Sequence, residues 1–197
     1  MLFHSLQIIS IIILIILFTF SYIGFGVFLN NILFRNLKIF NLGQLGLLGI
    51  FFLIFLSYLT SLFVPHNLFH NIAILIIGIF FFAINKSKIK KSEIKILLYI
   101  ILLTLVFFFL AKNHDDFQYY HLPLSLSLSE KKVSFGMGLL NYGYRHHSSL
   151  LFLNSLTFLP IIKFYLFNLP NYLILTFVNS ILISEIIKSI KKKDIIF

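Results

Sequence analysis

Apolar residues fill most of this chain, and short polar or basic stretches interrupt them. The uncharged stretch 6–29 is longer than the roughly 20 residues that an α-helix needs to cross a bilayer. Further apolar stretches at 42–64, 67–84, 96–111 and 172–187 are typical of the same kind of helix. The pattern therefore predicts an all-α fold, a polytopic bundle of transmembrane helices.

Turn residues and small residues organise these helices. Pro65 ends the second helix, and with His66 and Asn67 it predicts a tight turn into the third. Glycines recur at every third position early in the second helix, a spacing that predicts close contact with a neighbouring helix; they are Gly43, Gly46 and Gly49.

The apolar stretch 150–167 decides how many helices span. Eleven of the 16 basic residues fall at 35–38, 86–95 and 188–193, which indicates that these three regions are cytoplasmic. If 150–167 spanned as well, the last basic cluster would lie outside. We therefore expect 150–167, which is interrupted by polar residues, to be interfacial or re-entrant. Five spanning helices with the N-terminus outside result, and six is the alternative.

The organisation predicted is a single integral membrane domain in a cell inner (plasma) membrane. Its parts are four helices in 1–111, an extracytoplasmic polar loop at 112–149, an interfacial helix at 150–170, and a last helix with a basic tail at 171–197. The first apolar stretch begins almost at Met1 and is too long for a cleavable signal peptide. A truncated product of a longer gene is an alternative.

The composition supports a membrane protein and argues against nucleic-acid binding and cysteine-based chemistry. Hydrophobic residues make up 59% and charged residues 11% of the chain, against about 25% charged residues in soluble domains. The net charge of +10 does not favour nucleic acid as a partner, because the basic residues cluster between apolar stretches. Cysteine is absent, which excludes disulfides, thiolate metal sites and a cysteine nucleophile.

Asp115 and Asp116 are the most chemically suggestive residues of the polar loop. Adjacent carboxylates repel each other, so one could keep a proton near neutral pH and act as a general base. The pair could also hold a divalent cation through its oxygens. An ordinary solvated acidic loop explains the two residues equally well. His114 and His121 flank the pair, but their spacing fits no rule for a transition-metal site.

Basic and amide side chains follow later in the same loop. Arg145 is accompanied by Asn141 and His146, and a guanidinium near carboxylates suits a phosphate or pyrophosphate group. Binding of lipid headgroups is the alternative for Arg145. Gly136-Met137-Gly138 predicts a tight turn. Ser148 and Ser149 are expected to cap the apolar stretch that follows.

Other polar residues are expected to have structural roles. The Leu-Ser alternation at 124–129 could form a strand, but we expect it to begin a loop helix. His66 and His70 share a helix face, where a polar cap at headgroup level is favoured over a ligand site. Glu185 can pair with Lys188 or Lys192.

The loop resembles part of a poorly characterised family of bacterial polytopic proteins that are similar to GT-C-type membrane glycosyltransferases. The resemblance rests on landmarks covering about a quarter of the chain: Asp115-Asp116 just after a helix, Tyr120-His121-Leu122-Pro123, Gly136-x-Gly138-Leu139 with Asn141, and Arg145 with Ser148-Ser149 before an apolar stretch. It implies sugar transfer from a polyprenyl phosphate during synthesis of cell-envelope glycans.

The same resemblance implies roles for individual residues. Asp115 or Asp116 would be the general base for an acceptor hydroxyl, with a divalent cation as an optional helper. Arg145, His146 or Lys112 would stabilise the departing phosphate. His114, His121 and Asn141 complete the expected substrate-binding set, and the partners are membrane lipids and a lipid-linked sugar donor.

Two other functions stay open. The chain could be non-catalytic, either a truncated remnant or a subunit of a larger assembly, with its loop carboxylates facing water. A transporter would need ionisable residues at bilayer depth, and the first four helices show none. The sequence alone predicts no oligomeric state.

Overall fold

The computed structural model describes residues 2–33, 41–110, 112, 115–140, 142–145, 148–159, 162 and 164–192. The α-helices in these ranges are α1 Leu2–Leu33, α2 Leu42–Ser61, α3 Leu68–Asn85, α4 Lys91–Leu110, α5 His121–Glu130, α6 Met137–Leu140, α7 Ser149–Ser155 and α8 Leu169–Lys192. Short 3-10 helices lie at Lys86–Lys88, Asp115–Phe117, Tyr142–Arg145 and Phe164–Leu166.

Five helices in the described part of the chain, α1 to α4 and α8, are long and apolar enough to cross a membrane. The predicted all-α polytopic bundle with five spanning helices is confirmed. The chain is thus a multi-pass membrane protein. The helix α4 begins at Lys91, ahead of the predicted 96, because polar residues form its first turn, where Glu93 complements the positive end of the helix dipole.

Glycines let α1 pack closely between α2 and α3. A Cβ atom added at Gly49 of α2 would overlap the carbonyl oxygen of Tyr22 in α1, and one at Gly26 would overlap that of Leu45. On the other side of α1, a Cβ at Gly24 would overlap the carbonyl oxygen of Gly78 in α3. Backbone-to-backbone contact of this kind is the usual way in which helices associate in lipid.

The last helix, α8, packs against both α2 and α4. The predicted glycine contact is present here too, since a Cβ at Gly46 would come within 2.5 Å of the Phe177 ring. Toward α4, the Tyr172 hydroxyl donates to the carbonyl oxygen of Ile101 at 2.8 Å and accepts from the Thr104 hydroxyl at 3.2 Å. These hydrogen bonds join the two helices at one point along their contact and so help to set the register of α8 on α4.

One end of the bundle, here named the loop end, carries the α2–α3 turn (62–67) and the polar segments between α4 and α8. The backbone N–H of His66 donates to the carbonyl oxygen of Leu128 in α5 at 2.7 Å. The N–H of Val133 donates to the carbonyl oxygen of Ser61, the last residue of α2, at 2.8 Å. The loop therefore folds down onto the ends of the spanning helices.

The short helix α7 occupies the centre of the loop end. Ser148 caps it as predicted, its hydroxyl accepting from the N–H of Leu150 at 3.3 Å. Residues 151–157 are buried and pack against α2, α5 and α8. The Tyr58 ring of α2 stacks on Phe152 at 4.0 Å between centroids. Residues 151–157 are thus held between helices, and the Leu-Ser alternation is the loop helix α5, as expected.

Candidate functional site

A cavity of about 460 Å³ lies at the loop end, between the ends of α4 and α8 and beside α7. A volume of this size is within the range of small-molecule sites. Its walls combine aromatic and aliphatic side chains with one amine, one imidazole, two hydroxyls and three amides. They are Phe107, Phe108, Lys112, Phe117, His121, Ser148, Leu150, Leu151, Asn154, Phe167, Asn168, Asn171, Tyr172 and Leu175.

The cavity reaches the surface that the spanning helices present to lipid. Phe107 of α4 and Leu175 of α8 both line it, and both lie within membrane-spanning segments. Their side chains are 60% and 42% exposed, respectively, so they face outward as well as into the cavity. A molecule dissolved in the bilayer could therefore reach the cavity sideways, between the ends of these two helices.

The wall nearest the end of the bundle carries polar side chains, because Lys112 follows the last turn of α4 and Asn171 lies in the first turn of α8. Lys112, Ser148 and Asn171 line the cavity and are exposed, which places an ammonium group, a hydroxyl and an amide at its rim. His121, at the start of α5, is half-buried in the same wall. The cavity is thus amphiphilic, with apolar side chains from the spanning helices and polar side chains where α4 ends and α8 begins.

Asn154 of α7 is the buried polar residue of the cavity wall. Its side chain is 3% exposed, and its Oδ1 has no hydrogen-bond partner among the described residues. The residue also borders a second space of about 10 Å³, near the minimum that holds one water molecule. A buried acceptor without a partner costs free energy in the folded state, and sites that bind ligands commonly retain such groups.

The two aspartates lie beside the cavity and do not line it. Asp115 is exposed and Asp116 half-buried on the 3-10 helix Asp115–Phe117, whose last residue is part of the wall. The Tyr120 hydroxyl donates to Asp116 Oδ2 at 3.1 Å. This hydrogen bond raises the pKa of Tyr120 above its ordinary value. Tyr120 therefore holds the Asp116 carboxylate in a fixed direction.

Arg145 is not among the residues that line the cavity. Its Nε donates to the carbonyl oxygen of Gly138 at 2.9 Å, and its guanidinium carbon sits 4.1 Å from the centre of the Tyr142 ring. The turn at Gly136, with φ of +83°, brings residue 138 back toward the arginine, as the glycine pair predicted. The described contacts of Arg145 are thus local to the segment 138–145.

Three predicted site residues, His114, Asn141 and His146, lie outside the described residues. Of the remaining predicted set, the structure brings His121 into the cavity, leaves Asp115 and Asp116 at its side, and places Arg145 elsewhere. In the described ranges no group of three or more His, Asp or Glu side chains could hold a metal ion.

A buried polar cluster next to α7 differs from the sequence expectation. His66 is fully buried, although a place at headgroup level was expected for it. Its Nδ1 lies 2.6 Å from Ser155 Oγ, its Nε2 lies 3.0 Å from Thr60 Oγ1, and its ring stacks on His70. Asn71 donates to the carbonyl oxygens of residues 155 and 158 at 2.9 and 2.8 Å. This cluster fixes α7, and with it the cavity wall, to the α2–α3 turn.

The imidazole of His66 is neutral in this setting. Burial, and second the neighbouring His70, lower the pKa of His66 to about 3. A neutral imidazole offers one donor and one acceptor, which matches the two hydroxyl groups at its nitrogens. Its role is therefore structural, and His66 does not line the cavity.

No family model matches the chain, and a search of the curated proteins and of the solved structures finds no match either.

Proposed function

We propose that this protein binds a lipid-linked phosphosugar in the cavity at the loop end and transfers its sugar to an acceptor hydroxyl. The observation that carries the proposal is the cavity's division into a lipid-facing apolar side and a polar rim with Lys112. A polyprenyl phosphate has the same division, since its tail stays in the bilayer and its phosphate stays at the boundary. Synthesis of cell-envelope glycans is the setting in which such donors are used.

The contacts expected for the donor follow from the wall residues. Phe107 and Leu175 would contact the first isoprene units, because they lie at the lipid side. The ammonium of Lys112 would pair with the phosphate, and this pairing becomes stronger as the phosphate leaves with an additional charge. His121 and Asn171 would contact the phosphate or the sugar. The donor would be bound on the extracytoplasmic side, because the loop end lies opposite the lysine-rich ends of α4 and α8, which are expected to be cytoplasmic.

In the transfer step, the acceptor oxygen bonds to the anomeric carbon while the bond from that carbon to the phosphate oxygen breaks. The acceptor proton passes to a carboxylate, and the electron pair of the broken bond stays on the phosphate. Asp116 suits the base, because Tyr120 fixes its direction and because the adjacent Phe117 lines the cavity. An acceptor would then approach from the end of the bundle, over the 3-10 helix Asp115–Phe117.

Binding without transfer is the second candidate, and one observation favours it. Neither Asp115 nor Asp116 lines the cavity, and Arg145 is already bonded to Gly138. A non-catalytic subunit that presents a lipid-linked molecule to a partner would need the cavity alone.

The binding test uses the full chain in nanodiscs and a fluorescent polyprenyl phosphate as the probe. We expect saturable binding that Lys112→Gln weakens about tenfold, the effect of losing one charged contact worth about 1.4 kcal/mol. Lys95→Gln is the matched control, because Lys95 lies at the opposite end of the bundle. Binding that is absent, or equally weakened by both substitutions, would count against the cavity as a phosphate site.

The transfer test supplies a radiolabelled polyprenyl-phosphate sugar with membrane extract as the acceptor source. Wild-type protein should release sugar-free polyprenyl phosphate, and Asp116→Asn should stop the release while probe binding persists. Persistent binding with no transfer by the wild-type protein would favour the non-catalytic candidate.

A further inference from the structure

The segment 131–145, which connects α5 to the stretch before α7, exposes large apolar side chains outside the spanning helices. Phe135 is 89% exposed, Leu139 84% and Tyr142 76%. The same segment turns Met137 and Tyr144 inward, against the small apolar cluster that α5 forms with α7. One side of the segment is therefore anchored to the protein, and the other side presents three exposed side chains with large apolar surfaces.

One backbone hydrogen bond ties the beginning of this segment to the end of a spanning helix. Val133 donates its N–H to the carbonyl oxygen of Ser61, where the spanning helix α2 ends. Two residues of extended chain cover at most about 7 Å, so Phe135 cannot lie far from that level. Phe135 therefore stays near the level at which the spanning helix α2 ends.

Positive charges accompany these apolar groups. Lys131 and Lys132 are exposed at the beginning of the segment, and Arg145 is exposed at its end. The guanidinium of Arg145 lies over the Tyr142 ring, so a cation and an aromatic group share one surface. Apolar and aromatic side chains beside lysine and arginine are typical of segments that lie in a membrane interface.

We propose that the described residues of this segment, 131–140 and 142–145, dip into the headgroup layer of the leaflet at the loop end. Phe135 and Leu139 insert among the upper acyl chains, while Lys131, Lys132 and Arg145 contact lipid phosphates. The bilayer is favoured over a protein partner because the segment is held at the end of α2 and because its charged groups match anionic headgroups. The inference does not depend on the cavity or on its ligand.

The test uses the lack of tryptophan in the chain, since a single introduced tryptophan then reports its own surroundings. Phe135→Trp and Leu139→Trp are conservative at such exposed positions and should not disturb folding. Leu103→Trp is the control for a lipid-facing site, because Leu103 is 73% exposed within the span of α4. Each variant of the full chain is reconstituted in phosphatidylcholine vesicles with or without phosphatidylglycerol.

We expect brominated lipids to quench the emission of Phe135→Trp by a fraction comparable to that of Leu103→Trp. Lipids with bromine near the headgroup should quench the tryptophan at residue 135 more strongly than the one at residue 103. Replacing Lys131, Lys132 and Arg145 together by glutamine should reduce the additional quenching and blue shift that anionic lipid produces. Efficient quenching of Phe135→Trp by aqueous acrylamide but not by brominated lipid would overturn the proposal. Protection from both quenchers would also overturn it, because it would place a protein partner on this surface.

Discussion

The ring nitrogen Nδ1 of His66 lies 2.6 Å from the hydroxyl oxygen of Ser155, a residue 89 positions further along the chain. Both residues are fully buried, so no water competes for this contact. It joins the turn between α2 and α3 to the end of α7. The position of the cavity wall therefore depends on a contact remote from the cavity.

Loss of this contact should destabilise the protein measurably. Ser155→Ala leaves a buried nitrogen of His66 without its partner, which should lower the free energy of unfolding by about 1–3 kcal/mol. Thermal unfolding in detergent micelles measures the change. Ser127→Ala, a half-buried serine on α5, is the matched control and should have little effect. If the losses from Ser155→Ala and His66→Ala simply added in the double variant, the two residues would not be coupled.

The neutral state of His66 predicts a particular pH dependence of stability. An unfolded histidine binds a proton below about pH 6.5, whereas the folded protein does not protonate His66 until about pH 3. Between these values the unfolded state holds more protons, so the free energy of unfolding falls as pH falls. The stabilisation that depends on a neutral His66 is fully present above pH 6.5. Below pH 6.5, the free energy of unfolding falls by up to about 1.4 kcal/mol for each pH unit.

Chemical unfolding of the wild type and of His66→Gln at a series of pH values isolates this effect from other titrating groups. The difference between the two proteins should shrink as the pH is lowered from 7 toward 4. A difference that stays constant across this range would show that His66 is not held neutral by the fold.

Packing of α1 against α2 should tolerate no side chain at Gly49. The Cβ of Gly49→Ala would meet the backbone carbonyl of Tyr22, so the helices must separate. We expect a loss of about 1–3 kcal/mol, the range for overpacked sites, despite the better helix propensity of alanine. Ala73→Val on the exposed face of α3 adds bulk where no helix packs, and it should leave the unfolding temperature nearly unchanged.

Asn154 provides a test of whether its unpartnered oxygen serves stability or ligand binding. Asn154→Leu removes a buried acceptor that has no partner among the described residues, so the unfolding temperature should stay the same or rise. Binding of the fluorescent polyprenyl phosphate should weaken in the same variant if Asn154 contacts the ligand. A large loss of stability would instead show that the oxygen has a structural partner in the folded protein.

The spanning helices could be predicted from the sequence because each one is a continuous apolar stretch, a property that needs no knowledge of neighbours. The glycine spacing in α2 likewise indicated a close helix contact, although not that Gly49 faces α1 while Gly46 faces α8. The helix cap at Ser148 and the left-handed conformation of Gly136 could also be predicted, because each depends on only a few adjacent residues.

The cavity and the buried cluster were not predictable in the same way. Asn154 lies in an apolar stretch and carries no charge, so no sequence pattern indicates that it is a site residue. A position at headgroup level was expected for His66 because it lies at a helix end. Its burial could not be predicted, because it depends on a contact with Ser155, which no local sequence pattern connects to it. The clustering of lining residues from α4, α7 and α8 likewise arises only when these helices pack.

The two hydrogen bonds from Asn71 to the backbone of residues 155 and 158 tie an early helix to a late one. During synthesis, α3 enters the membrane long before the ribosome has produced α7. Until then, the amide of Asn71 and the ring of His66 must be hydrated, which keeps the turn between α2 and α3 accessible. Folding should thus finish when α7 docks against this turn. Nascent chains stalled after α4 should be cleaved by added protease within residues 62–67, whereas the complete folded protein should resist cleavage there.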